Sequence, residues 1–156
     1  MQLSDIISQD SVLPALKAQS KKQLLQELSN AASKVAGLDS RRIFETLLQR
    51  EKLGSTGLGQ GIAIPHGKFA DLDRVRGLFA RLAQPVDFDA VDDQPVDLVF
   101  LLLAPESAGA DHLKALARIS RLLRDQGLVA KLRGTDSSAG LYAILTEPLA
   151  SASHAA

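Results

Sequence analysis

The segment "VDLVFLLLAP", residues 96–105, is apolar at every position except Asp97. A nearly continuous apolar run of this length is expected of a strand buried on both faces, which needs a layer of other elements on each side of its sheet. It is far shorter than the roughly 20 residues that cross a bilayer. Upstream, "VRGLFARLA" (75–83) alternates enough for a second strand, and "GIAIP" (61–65) reads as a short β-rich one. "SVLPAL" (11–16) reads as an edge strand, because Pro14 cannot donate to a central ladder.

The remaining segments carry helical periodicity. Ser20 and Gln23 form a capping-box pattern, followed by Leu24, Leu28, Ala31 or Ala32, and Val35, until Gly37 stops the run. A second helix is predicted after Asp39 or Ser40, with Ile43, Phe44, Leu47 and Leu48 on one face and an end near Gly54. Further helices are predicted over 111–124, around 128–132 and over 137–145. Helices before, between and after a few strands give the expected fold class: α/β, a single domain with a mixed β-sheet sandwiched between helices.

Composition narrows the function. The 156 residues are the length of one domain, long enough to bury roughly 70% of the unfolded surface. With no cysteine, thiolate chemistry and the usual structural zinc sites are excluded. Eighteen basic residues balance eighteen acidic ones and aromatics make up 4%, so neither the charge excess nor the stacking surface of a nucleic-acid binder is present. The first 22 residues carry Asp5 and Asp10 where a signal peptide avoids acid, so the chain is expected to be soluble and cytoplasmic.

The stretch "GLGQGIAIPHGK" (57–68) invites a nucleotide reading, and its spacing refuses one. Both a dinucleotide fingerprint starting at Gly57 and a phosphate loop ending at Gly67 and Lys68 require glycine where Ile62 stands, and both must precede a helix. His66 is more informative. Pro65 and Gly67 frame it with stiff and permissive backbone, presenting the imidazole at a strand end. The plain alternative is a turn histidine satisfied by neighbouring backbone. His112 continues the stripe of Leu116, Ile119 and Leu123 at a helix N-terminus, where backbone N–H groups favour an anion. Arg50, with Ile43 and Leu47, sits on the inner face of the second helix and suits a tetrahedral oxyanion, or else snorkels to solvent. With the hydroxyls of Ser55 and Thr56, these groups make an anion site. Two histidines 46 residues apart, without a His-x-His or His-Glu-x-x-His pattern, argue against zinc, and no G-x-S-x-G elbow is present.

"REKLGSTGLGQGIAIPHGK" (50–68) resembles the active-site signature of the mannitol/fructose-type enzyme IIA of the bacterial phosphotransferase system. "FDAVDDQPVDLVFLLLAPES" (88–107) and "DHLKALARISRLL" (111–123) look most like its nitrogen-regulatory branch, enzyme IIA-Ntr. The resemblance implies that residues 3–147 form the IIA domain, with 148–156 a flexible tail containing a bystander His154. It implies that His66 accepts a phosphoryl group, that His112 is the second active-site histidine and that Arg50 is the arginine near it; from the anion-site reading, Ser55, Thr56 and Gly67 are expected to contact the phosphate. A docking patch of Leu58, Ile62, Ile64 and Phe69 is expected beside them. No cofactor is implied. The implied partners are an HPr-like phosphocarrier of the nitrogen-branch NPr type and regulated target proteins, with no nucleic acid. A free-standing sugar-specific IIA passing phosphate to an enzyme IIB, and a non-catalytic binding module, remain as alternatives.

Overall fold

A computed structural model describes residues 2–147. Two short 3-10 turns, Leu3–Asp5 and Gln9–Ser11, lead into strand β1 (Val12–Leu16). Helices α1 (Lys21–Ala36) and α2 (Ser40–Lys52) follow, then β2 (Gly57–Gly59), β3 (Ile62–Ala63), β4 (His66–Phe69), β5 (Arg76–Val86) and β6 (Val96–Pro105). Helices α3 (Ala110–Leu122), α4 (Gln126–Arg133) and α5 (Ser138–Thr146) complete the described chain. The tail expected over 148–156, and His154 with it, lies outside the described residues.

The sheet runs β1-β5-β6-β3-β2, with β4 also paired to β6. β1 is parallel to β5, β5 antiparallel to β6, β3 and β4 parallel to β6, and β2 antiparallel to β3. The sheet is therefore mixed, and β6 sits inside it, as its nearly continuous apolar sequence requires. Leu101 and Leu103 point into a core shared with α1 and α2, while Leu98, Phe100 and Leu102 point into a second core shared with α3, α4, α5 and the first turns. Each fully buried leucine of this kind stabilises the fold by about 1.5–3 kcal/mol. Phe79 on β5 stands opposite Phe100 on β6, with ring centroids 6.3 Å apart. The α/β sandwich expected from the sequence is the fold observed.

Local signals explain the helix ends. The Ser20 hydroxyl accepts from Gln23 N, and the Gln23 side chain accepts from Gln19 N, one residue before the position a standard capping box uses. Gly37 ends α1 with φ 71°, a left-handed cap that glycine adopts without strain. Asp39 caps α2 through Arg42 N. No described helix is long and apolar enough to cross a membrane.

Candidate active site

The glycine stretch is more ordered than its sequence suggests. Residues 57–59 form β2 and turn back through Gln60 and Gly61 into β3. The predicted strand over 61–65 stops after Ala63, and His66 opens β4 instead of ending a strand. β3 and β4 lie along the same edge of β6, with Ile62 opposite Leu98 and His66 opposite Leu102. Across the interruption Ile64 N donates to Thr56 O at 3.0 Å, and Leu102 N donates to Pro65 O at 2.9 Å.

The partners of His66 fix its ring. A backbone carbonyl can only accept, so the 2.9 Å contact between Nδ1 and Ile64 O places the ring proton on Nδ1. A guanidinium can only donate, so the 3.3 Å contact from Arg50 Nε falls on the lone pair of Nε2. Arg50 Nη1 also donates to Gly54 O at 2.9 Å, tying the end of α2 to the following loop. These two contacts fit one tautomer, protonated on Nδ1 and with the Nε2 lone pair facing Arg50. The ring is half-buried, open on one side.

His112 lies in the first turn of α3, 6% exposed, with its ring centroid 5.7 Å from that of His66 and the planes inclined by 60°. Its Nε2 is buried and has no hydrogen-bond partner among the described residues. Burial, reinforced by the nearby His66 and Lys68, pushes its pKa below the ordinary histidine value, favouring the neutral ring. The site therefore combines an imidazole with a lone pair at Nε2, a guanidinium touching it and a second imidazole with an unpaired nitrogen. Such a set can hold a tetrahedral anion on His66 Nε2.

The structure brings His66, His112 and Arg50 together, and it corrects the expected roles of the Ser55 and Thr56 hydroxyls and of Ile62, Ile64 and Phe69. The Thr56 side chain is buried and donates to Glu51, and the Ser55 hydroxyl donates to Phe88 O at 2.8 Å, so both hydroxyls are spent on the fold. Gly67 is needed for packing: a Cβ there would stand 2.9 Å from Thr46 Cγ2 on α2. Of the expected docking patch only Leu58 is exposed, at 52%, whereas Ile62, Ile64 and Phe69 retain 4%, 3% and 1%. These three are core residues because both faces of the β3–β4 line are covered. Exposed large apolar side chains on the segments that carry the site are Leu58, Leu53 just after α2, and Leu113, next to His112 in sequence.

Glu51 was missed in the sequence. With Ile43 at i and Leu47 at i+4 it stands at i+8 and is buried with them, while Arg50 is only half-buried. A carboxylate continuing an apolar stripe is the signal that marks it.

Residues 5–147 match the family described as "Phosphoenolpyruvate-dependent sugar phosphotransferase system, EIIA 2". The chain belongs to that family. A nitrogen regulatory protein of Bradyrhizobium diazoefficiens is 57% identical over 152 residues, covering 97% of this chain and 99% of the relative. The crystal structure of the nitrogen regulatory protein IIA-Ntr from Neisseria meningitidis superposes with a TM-score of 0.87 at 38% identity, covering 92% of this chain and 99% of that one. IIA mannitol from Escherichia coli, at 22% identity and a TM-score of 0.76 over 89% and 98% of the two chains, shares the fold. The chain is thus a phosphotransferase-system IIA whose close relatives carry a regulatory name.

Proposed function

We propose that this chain accepts a phosphoryl group on His66 Nε2 from an HPr-like phosphohistidine carrier of the nitrogen branch, and regulates partner proteins according to whether it carries that group. The observation that supports this reading best is the fixed tautomer: Nδ1 donates to Ile64 O while Nε2 keeps its lone pair beside Arg50. Neutral imidazole attacks phosphorus in line, the carrier's P–N bond breaks as the new Nε2–P bond forms, and the departing imidazole keeps the electron pair. His66 retains its Nδ1 proton, and the Ile64 carbonyl stabilises the positive charge that develops on the ring.

The 3.3 Å contact from Arg50 Nε is long for a hydrogen bond to nitrogen and yields readily when phosphorus approaches. The guanidinium then donates to the equatorial oxygens, where charge accumulates, and His112, its ring centroid 5.7 Å from that of His66, offers its unpaired Nε2 as a second donor. Both the broken and the formed bond are phosphoramidates, so transfer is near thermoneutral and reversible. The product adds about two negative charges at pH 7 beside exposed Leu53, Leu58 and Leu113, which changes the face offered to a partner.

Incubation with the phosphorylated carrier tests this directly. Phosphate that is acid-labile and alkali-stable is expected on the wild-type chain and absent from His66→Ala; labelling that persists in the variant overturns the assignment.

A further inference from the structure

Behind the site, and outside the groups that touch His66, lies a buried ion pair between the first residue of α1 and the last turn of α2. Lys21 Nζ is 3.0 Å from Glu51 Oε1 and 4.6 Å from the centroid of the Phe88 ring. The same Oε1 accepts from Thr56 N at 3.0 Å, and Oε2 accepts from the Thr56 hydroxyl. A carboxylate with almost no solvent access is costly unless its lone pairs are filled, and here three donors converge on it.

The held residue leads straight to the imidazole. Thr56 O accepts from Ile64 N at 3.0 Å, and Ile64 O in turn accepts from His66 Nδ1 at 2.9 Å. Ile64 lies in the interruption between β3 and β4, so its N–H bond to Thr56, together with the Leu102 N bond to Pro65 O, holds the segment whose carbonyl faces His66. Arg50, the adjacent residue, approaches the opposite nitrogen of the same ring. The last turn of α2 therefore grips both ends of the imidazole, directly through Arg50 and through two backbone links by way of Glu51.

We infer that Glu51, neutralised by Lys21, is a positioning residue that sets the tautomer and orientation of His66 through Thr56 and Ile64. The inference rests on the reading of His66 as phosphoryl acceptor, because its consequence is a free lone pair on Nε2. A solvated histidine favours the opposite tautomer, with the proton on Nε2, and the hydrogen bond at Nδ1 is what reverses that preference. Loss of Glu51 leaves Thr56 N, the Thr56 hydroxyl and Lys21 Nζ without their buried acceptor, and the loop carrying Thr56 moves to find others.

Nitrogen-15 NMR of His66 in the full-length chain reads the tautomer, and the rate of phosphoryl acceptance from the carrier reads its consequence. In the wild type the proton is expected on Nδ1. Glu51→Ala is expected to give a mixture of tautomers and to slow acceptance about 10- to 100-fold. The double variant Glu51→Gln with Lys21→Met should restore both, because the amide oxygen accepts from Thr56 N and no cation is left unpaired. A merely structural role predicts lost thermal stability with an unchanged His66 tautomer, and that result overturns the inference. Should Glu51→Ala fail to fold, Thr56→Val, which removes one of the two bonds to Glu51, is judged by the same spectrum: a shift toward Nε2–H supports the inference and an unchanged tautomer overturns it. A wild-type chain that is never labelled, yet whose tautomer shifts in Glu51→Ala, refutes the phosphoryl reading and leaves the positioning role standing.

Discussion

His66 and His112 face each other with ring centroids 5.7 Å apart, one imidazole hydrogen-bonded at both nitrogens and the other with Nε2 unpaired. The asymmetry matches the proposed roles, in which the first ring attacks phosphorus and the second offers its unpaired nitrogen to the phosphoryl group.

That proximity predicts a titration. Burial, then His66 and Lys68, hold the His112 pKa below the ordinary value of about 6.5. A phosphoryl group on His66 replaces a neutral or positive neighbour with a dianion, which favours protonated His112. The expected outcome is an upward move of the His112 midpoint in NMR titrations of the phosphorylated chain. An unmoved midpoint refutes contact between His112 and the phosphate.

The same shift makes folding pH-dependent. With the folded pKa below the unfolded one, the unfolded chain binds more protons in between, so the contribution is fully present above about pH 6.5 and is lost as pH falls through the folded value. Denaturant midpoints compared at pH 7.5 and 5.5 should drop more in the wild type than in His112→Gln. Equal drops in both count against a titrating His112.

Arg50 makes two bonds from one fork, to His66 Nε2 and to Gly54 O. Arg50→Ala should slow phosphoryl acceptance by about 10²–10³-fold, the usual cost of losing one transition-state donor. Arg50→Lys should recover only part of this, because an ammonium cannot span both partners. Full recovery in single-turnover rates indicates that charge alone matters.

Gly67 and Thr46 report the packing of β4 on α2. Gly67→Ala places a methyl group 2.9 Å from Thr46 Cγ2 and should destabilise the fold by about 1–3 kcal/mol. Adding Thr46→Ser removes that methyl and should return most of the loss. Additive effects of the two changes in urea unfolding contradict the clash.

Leu58 and Phe69 separate docking from folding. Phe69→Ala should cost about 3–5 kcal/mol of stability, as expected for a fully buried ring. Leu58→Asp should leave the unfolding midpoint nearly unchanged and raise the carrier concentration needed for half-maximal transfer. A Leu58 variant with wild-type transfer places the docking surface elsewhere.

The layered fold was legible because β6 is apolar on both faces and the helices carry clear caps at Ser20, Asp39 and Gly37. His66, His112 and Arg50 stood out for their local frames and stripe positions. The buried state of Ile62, Ile64 and Phe69 was not legible, because short apolar runs look alike whether they face a partner or a helix. The hydroxyls of Ser55 and Thr56 were misread for a related reason: their acceptors, Phe88 O and Glu51, are set by tertiary approach. Gly67 was attributed to backbone freedom, whereas it is the neighbouring Thr46 that demands it.

The interrupted strand has a further consequence. Four steps along the chain from Ile62 to His66 match four steps along β6 from Leu98 to Leu102, so the break at Ile64 and Pro65 adds and removes nothing. β6 acts as a ruler against which His66 is indexed. Because strand side chains alternate with a period of two, one residue inserted or deleted between Ala63 and His66 would turn the imidazole to the opposite face of the sheet. Length changes in the connection between Pro105 and Ala110 leave that index untouched and fall instead on the placement of His112.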